Sequence, residues 1–207
     1  MKRITLAAAL LVASCGGAED PSGEARAAAP AAQPKRTEAA VFAGGCFWCT
    51  EADFEKVAGV VSAVSGYTGG RTENPTYEQV SAGGTGHYEV VRITYDPARV
   101  SYQALVRHYF RTVDPTDAGG QFCDRGESYR TAIFAIGEGQ KSIAEAERAR
   151  AAALLKQRVV TPVLPAGRFY AAEGYHQDYY KKNPIRYSYY RGRCGRDARV
   201  KKVWGGR

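Results

Sequence analysis

The stretch Glu38-Ala-Ala-Val-Phe-Ala-Gly-Gly-Cys-Phe-Trp-Cys-Thr-Glu51 decides how this chain is read. Glu38 to Ala43 is short and apolar, which suits a strand, and Gly44-Gly45 ends it in a tight turn. Phe47 to Val57 then has the makings of a helix, with Gly59 near its stop. Cys46 falls at the junction. A cysteine at a helix N-terminus sits among unpaired backbone N–H groups and the positive end of the macrodipole, a position that favours thiolate. The two glycines allow a close turn and leave room for something to approach the sulfur. Phe47 and Trp48 line such a site with aromatic surface.

Outward from this junction, Val60 to Gly66 reads as a strand and Tyr67-Thr68-Gly69-Gly70 as a turn. His87 to Tyr95 alternates. Glu89, Val91, Ile93 and Tyr95 share one face, and Tyr88, Val90, Arg92 and Thr94 share the other. Ser101 caps a helix whose Tyr102, Leu105, Val106, Tyr109 and Phe110 recur at helical spacing. Tyr129 to Ile136 reads as a strand and Glu138 to Gln157 as a long helix. Val159 to Leu164 and Phe169 to Ala171 are short strands, and irregular chain is expected beyond Asn183-Pro184. Mixed elements with a half-buried alternating strand indicate an α+β fold, a mixed or antiparallel sheet with packed helices and an irregular C-terminal tail.

The 207 residues are 44% hydrophobic and 24% charged, a globular balance that excludes wholesale disorder and fibrous architecture. No apolar run reaches the roughly 18 to 20 residues of a spanning helix, which excludes a polytopic membrane protein. The N-terminus is read as an address. Lys2 and Arg3 precede an apolar stretch, and Val12-Ala13-Ser14-Cys15 resembles a bacterial lipobox whose cysteine carries lipid in the mature chain. Residues 1–14 are thus expected to be a signal peptide, 15–38 a lipidated cysteine and Ala/Pro-rich tether, and 39–207 the folded domain. Gly16-Gly17 after Cys15 point to the outer membrane, facing the periplasm. Loss of Lys2 and Arg3 takes the net charge from +8 to about +6. Basic residues cluster after Lys181 (Arg186, Arg191, Arg193, Arg196, Arg199, Lys201, Lys202). They are read as a solvated tail, touching lipid headgroups rather than nucleic acid.

The cysteine block resembles the Gly-Cys-Phe-Trp signature of the peptide methionine sulfoxide reductase A family. The likeness continues through Ser65-Gly-Tyr-Thr-Gly-Gly70, Asn74-Pro-Thr-Tyr77, Gly86-His-Tyr-Glu89, Tyr95-Asp-Pro97, Gly126-Glu-Ser-Tyr-Arg130, Tyr175-His-Gln-Asp-Tyr179 and Lys182-Asn-Pro184. These blocks run in order across the domain. The resemblance implies a ferredoxin-like α/β sandwich and reduction of methionine-S-sulfoxide, free or in oxidised proteins. Cys46 is then the nucleophile that ends as a sulfenic acid, and a second thiol converts it to a disulfide. Glu89 matches the family's proton donor, and its apolar face-mates are expected to raise its pKa. Tyr77 and Tyr129 match tyrosines that hydrogen-bond the sulfoxide oxygen, and Asp124 an acidic residue near the substrate backbone. Phe47 and Trp48 would receive the substrate methyl. His176 is assigned a supporting hydrogen bond, with core packing as the other reading. No metal or organic cofactor is implied. An external thioredoxin-like dithiol is, and a monomer is expected.

The chain departs from the family where Cys49 replaces the usual glycine and where Ile185 to Arg193 separate Asn-Pro from Cys194. Cys194, on a tail expected to be mobile, is the favoured resolving cysteine. Cys49, one helical turn from Cys46, is the alternative, and a relay through Cys123 stays open. Cys46-x-x-Cys49 also fits a thiol–disulfide oxidoreductase, the competing reading. That reading leaves the downstream blocks unexplained and lacks a tryptophan before the first cysteine. A zinc site from the four cysteines lacks a second close pair.

Overall fold

The computed structural model describes residues 36–205. The export signal, Cys15 and most of the tether expected from the sequence lie outside them. Strand β1 (Glu38–Gly44) is the centre of a six-stranded sheet in the order β7-β6-β1-β3-β2-β8. Its neighbours are β3 (Tyr88–Tyr95) and β6 (Thr131–Ala135), both antiparallel to it. Strands β2 (Val60–Thr68) and β8 (Tyr170–Ala171) complete one side. The parallel β7 (Val163–Pro165) closes the other. The sheet is therefore mixed, with helices packed on it, as the alternation of β3 indicated.

Burial explains the sequence of β1. Ala40 and Phe42 enter the main core, while Val41 and Ala43 enter a second cluster on the opposite face. A strand covered on both faces reads as a continuous apolar run, not as an alternation. In the main core Phe42 stacks on Phe54 of α1 (Phe47–Phe54) at 4.9 Å and on Tyr109 of α3 (Tyr102–Phe110) at 5.1 Å. Ser101 caps α3 by accepting from Ala104 N at 3.1 Å. Val91, Ile93 and Tyr95 of β3 point into the same core, so Glu89 lies at the end of an apolar face. The remaining elements are α2 (Tyr77–Ala82), the hairpin β4–β5 (Gly120–Gln121 and Asp124–Arg125), α4 (Gly137–Leu155) and α5 (Tyr179–Lys182). No helix among the described residues is long and apolar enough to cross a membrane.

The chain beyond Asn183-Pro184 is helical, which corrects the irregular, mobile tail expected there. Helices α6 (Pro184–Arg193) and α7 (Arg196–Trp204) are joined at Gly195, which takes a left-handed conformation at φ 68°. Pro184 starts α6 at a position where its missing N–H costs nothing. The segment docks through Tyr187 and Trp204, both buried, and Trp204 Nε1 donates to Val113 O at 3.2 Å. Nor is the basic cluster uniformly solvated. Arg196 is 2% exposed, and Arg199 Nε donates to buried Asp114 Oδ2 at 2.7 Å. The arginines dilute the apolar period of these helices so far that no stripe is visible in the sequence.

Candidate active site

Cys46 caps α1 with φ −48° and ψ 118°, between the end of β1 and the first helical turn. The two glycines before it serve the turn and leave no room for a ligand. Gly45 has φ +78°, and a Cβ there would meet Gln121 Cβ at 2.5 Å; one on Gly44 would meet Thr50 Oγ1 at 2.6 Å. The helix N-terminus also acts differently from the sequence expectation. The N–H groups of Cys49 and Thr50 both go to Cys46 O, at 3.2 Å, and Phe47 N donates to Glu89 Oε2 at 3.0 Å. With those donors engaged elsewhere, burial pushes the Cys46 thiol well above its ordinary pKa. The hydrogen bond to Cys49 and the charges of Cys49 and Glu89 push the same way. Cys46 keeps its proton at rest.

A cavity of about 210 Å³ opens over this sulfur. Phe47, Trp48 and Tyr77 supply its aromatic wall, and Glu89, Asp124, Tyr129 and Tyr190 its polar groups. The structure thus gathers the sequence-assigned residues Cys46, Phe47, Trp48, Tyr77, Glu89, Asp124 and Tyr129 around one pocket. Burial raises Glu89 to about 8, further assisted by the Asp124 and Cys49 charges and opposed by the Phe47 N–H. At neutral pH Glu89 is a carboxylic acid held beside the thiol. Tyr77 and Tyr129 both line the cavity, and burial raises the pKa of each hydroxyl.

His176 lies behind the wall. Trp48 Nε1 donates to His176 Nδ1 at 3.0 Å, and the imidazole packs on Phe47 and Tyr77 at 4.9 and 4.5 Å. It therefore does both things the sequence reading allowed: it hydrogen-bonds Trp48 and it packs. Burial lowers its pKa, consistent with a neutral ring that accepts at Nδ1. The outer face of Trp48 stacks on Tyr179 at 3.7 Å and 6°. The segment carrying His176 and Tyr179 is held by Glu51, whose Oε1 accepts from Asp178 N at 2.8 Å and whose Oε2 accepts from Ser65 Oγ at 2.6 Å. Gln177 adds bonds to both backbone groups of Ser65.

The cysteines form two pairs. Cys46 and Cys49 are free, buried and clustered with Ala52 and Tyr187. Cys123 and Cys194 are joined as a disulfide across 71 residues, tying the hairpin loop to the junction of α6 and α7. Between the pairs stand Asp124, whose Oδ2 is 3.8 Å from Cys194 Sγ, and Tyr190, whose hydroxyl donates to the same Oδ2. Tyr190 also lines the cavity over Cys46. The sequence reading missed Tyr190, Arg191 and Arg196. The interleaving of tyrosine and arginine after Pro184 is the available signal, and by pattern alone it reads as surface chemistry.

Comparison with known proteins agrees with this geometry. The sequence model of a family described as Peptide methionine sulfoxide reductase matches residues 38–207. The peptide methionine sulfoxide reductase MsrA 2 of Caulobacter vibrioides is 56% identical over 181 residues, 87% of this chain and 92% of that one. Among solved structures, methionine sulfoxide reductase A of Corynebacterium diphtheriae superposes with TM-score 0.66 at 38% identity, covering 74% of this chain and 77% of that chain. Mxr1 from Saccharomyces cerevisiae in reduced form gives TM-score 0.69 at 30% identity, covering 74% and 89%.

Proposed function

The chain belongs to the peptide methionine sulfoxide reductase A family, and from that premise we propose how its own residues divide the work of reducing methionine-S-sulfoxide. The observation that carries the proposal is the pairing of a buried thiol, Cys46, with a buried carboxylic acid, Glu89, at one aromatic-walled cavity. The substrate methyl rests against Phe47 and Trp48, and its oxygen faces Glu89, Tyr77 and Tyr129. Asp124, at the mouth, takes a donor from the substrate backbone.

Cys46 sulfur attacks the sulfoxide sulfur. Its proton passes to Cys49 while Glu89 protonates the oxygen, and methionine leaves with the oxygen retained on Cys46 as a sulfenic acid. Cys49 passes that proton on to the Cys46 hydroxyl and, as a thiolate, attacks the Cys46 sulfur, so that the hydroxyl departs as water. One proton of that water comes from Cys46 and one from Glu89, so the negative charge that starts on Cys49 ends on Glu89. Glu89 is reprotonated before the next turnover.

Cys49 takes the first resolving role here because it is free and one turn from Cys46, whereas Cys194 is engaged with Cys123. An external thioredoxin-like dithiol opens Cys123–Cys194. The released Cys194 exchanges into the Cys46–Cys49 disulfide and closes again on Cys123, leaving the donor oxidised. Rapid quenching after one equivalent of methionine-S-sulfoxide, with disulfides mapped by mass spectrometry, tests the order. Cys46–Cys49 is expected first. An initial Cys46–Cys194 bridge would make Cys194 the direct resolving cysteine.

We further propose that the enzyme works outside the cytoplasm, held by lipid on Cys15, a reading supported by Lys2, Arg3 and Val12-Ala-Ser-Cys15. The electron donor is then an exported dithiol protein, since cytosolic reductant does not reach that compartment directly. Metabolic labelling with palmitate should mark the protein and fail to mark Cys15→Ser. An unlabelled wild-type chain would remove the anchor.

A further inference from the structure

Arg196 is a buried cation with an incomplete set of partners. It is 2% exposed, and its Nη1 donates to Gly44 O at 3.1 Å. Its Nε lies 3.6 Å from Asp53 Oδ2, too far for a good hydrogen bond, and both Nε and Nη2 lack hydrogen-bond partners. Gly44 ends the strand before Cys46, and Asp53 follows Cys49 by one turn of α1. The guanidinium thus spans the two sides of the redox turn. Asp53 is shared with a second cation, Arg191, whose Nη1 donates to Asp53 Oδ1 at 2.8 Å. The other acidic partner of Arg191, Asp197, has its side chain 69% exposed. Two guanidiniums therefore meet one buried carboxylate beside α1. A buried charge left short of counter-charge is costly. Cys49, itself 2% exposed and on the same face of α1 as Asp53, lies in the field of both guanidiniums, and Asp124 and Asp197 lie in that of Arg196.

We infer that Arg196, seconded by Arg191, is a positioning residue that holds Cys49 as a thiolate for attack on the oxidised Cys46. The inference rests on the resolving role given to Cys49 above. The groups facing Cys49 are Cys46 and Asp53 from its own turn and helix, Tyr187, Tyr190 and Arg191 from α6, Arg196 from α7 and Glu89 from β3. Cys49 is lowered to about 7. The hydrogen bond from Cys46 contributes most, then Arg196 and Arg191, against burial and Asp53. Once Cys46 is a sulfenic acid its S–H no longer exists. The two guanidiniums are then what favours the thiolate at the step that needs it, and neither contacts the substrate cavity.

Cys15→Ser with Cys46→Ser, keeping Cys123–Cys194 oxidised, leaves Cys49 as the free thiol, and its titration can be followed by NMR of 13Cβ-labelled cysteine. A midpoint well below the ordinary value of about 8.5 is expected, and one at or above that value overturns the inference whatever the variants do. In the same background Arg196→Gln, which keeps a donor for Gly44 O and loses the charge, should raise the proton affinity of Cys49 about tenfold or more, and Arg196→Lys should restore most of it. A folded Arg196→Gln with an unmoved midpoint overturns the inference. If Arg196→Gln does not fold, Arg191→Gln should give a smaller rise, and no rise overturns it. With Cys46 restored, dimedone should trap a sulfenic acid that lives about tenfold longer in Arg196→Gln. Cys49→Ser separates the two layers. If its sulfenic acid closes to a disulfide at the normal rate, the resolving role of Cys49 fails, even where the titration supports the cradle.

Discussion

The two cysteine pairs differ in every property that governs thiol chemistry. Cys46 and Cys49 are one helical turn apart, buried and reduced, between a carboxylic acid and two guanidiniums. Cys123 and Cys194 are 71 residues apart and oxidised at the surface, where they tie a hairpin to the C-terminal helices. One pair has its reactivity set by the charges packed around it. The other has its role set by the length of chain it closes. Residue type alone distinguishes neither.

The largest effect expected from breaking this contrast is at Glu89. Glu89→Gln keeps an acceptor for Phe47 N and removes the proton, so methionine release in a single turnover should fall about 10²- to 10⁴-fold, the usual worth of a general acid. Sign and pH window follow from its value of about 8. The acid is present below that pH and lost above it, so the wild-type rate should decline as pH rises through about 8, and the decline should vanish in Glu89→Gln. A variant within a few-fold of wild type would move the acid elsewhere.

The surface pair is tested through stability. Cys123→Ser with Cys194→Ser opens a loop of 71 residues, which chain entropy values at about 4 kcal/mol, as an upper figure. Chemical denaturation of the double variant should show a loss of that order. An unmoved denaturation midpoint would mean that the packing of Tyr187 and Trp204 alone holds the C-terminal helices.

What the sequence disclosed follows the same division. The strand–turn–helix around Cys46 and the alternating β3 were legible because burial there is uniform along a face and local signals agree with it. The cavity residues were legible only through motifs, since nothing local brings Tyr77, Glu89 and Tyr129 together. Helices α6 and α7 were hidden because their buried positions include Arg196, a residue that pattern reading assigns to solvent. The Cys123–Cys194 pair was hidden because proximity across 71 residues is a property of the fold.

A smaller effect is expected at Cys49. Replacing it with serine removes a nucleophile held next to the sulfenic acid, and proximity of this kind makes disulfide formation slower by about 10- to 100-fold. Methionine should still be released once per enzyme, and dimedone adducts at Cys46 should accumulate. Unchanged steady-state turnover with a dithiol donor would return the resolving role to Cys194.

The smallest effect, and the one that joins the two pairs, is at Tyr190. Its hydroxyl donates to Asp124 Oδ2, which lies 3.8 Å from Cys194 Sγ, and Tyr190 lines the same cavity as Cys46. Burial raises the pKa of Asp124, and the bond from Tyr190 works against that rise. Tyr190→Phe therefore favours protonated Asp124 and weakens its hold on a substrate N–H, at a cost of about 1 kcal/mol. KM should rise about fivefold, with kcat changed less, since the cavity wall and Glu89 remain. The opposite split, kcat falling a hundredfold at constant KM, would make the Tyr190 hydroxyl a participant at Cys46 itself. The boundary between the two cysteine pairs would then run through the reacting sulfur.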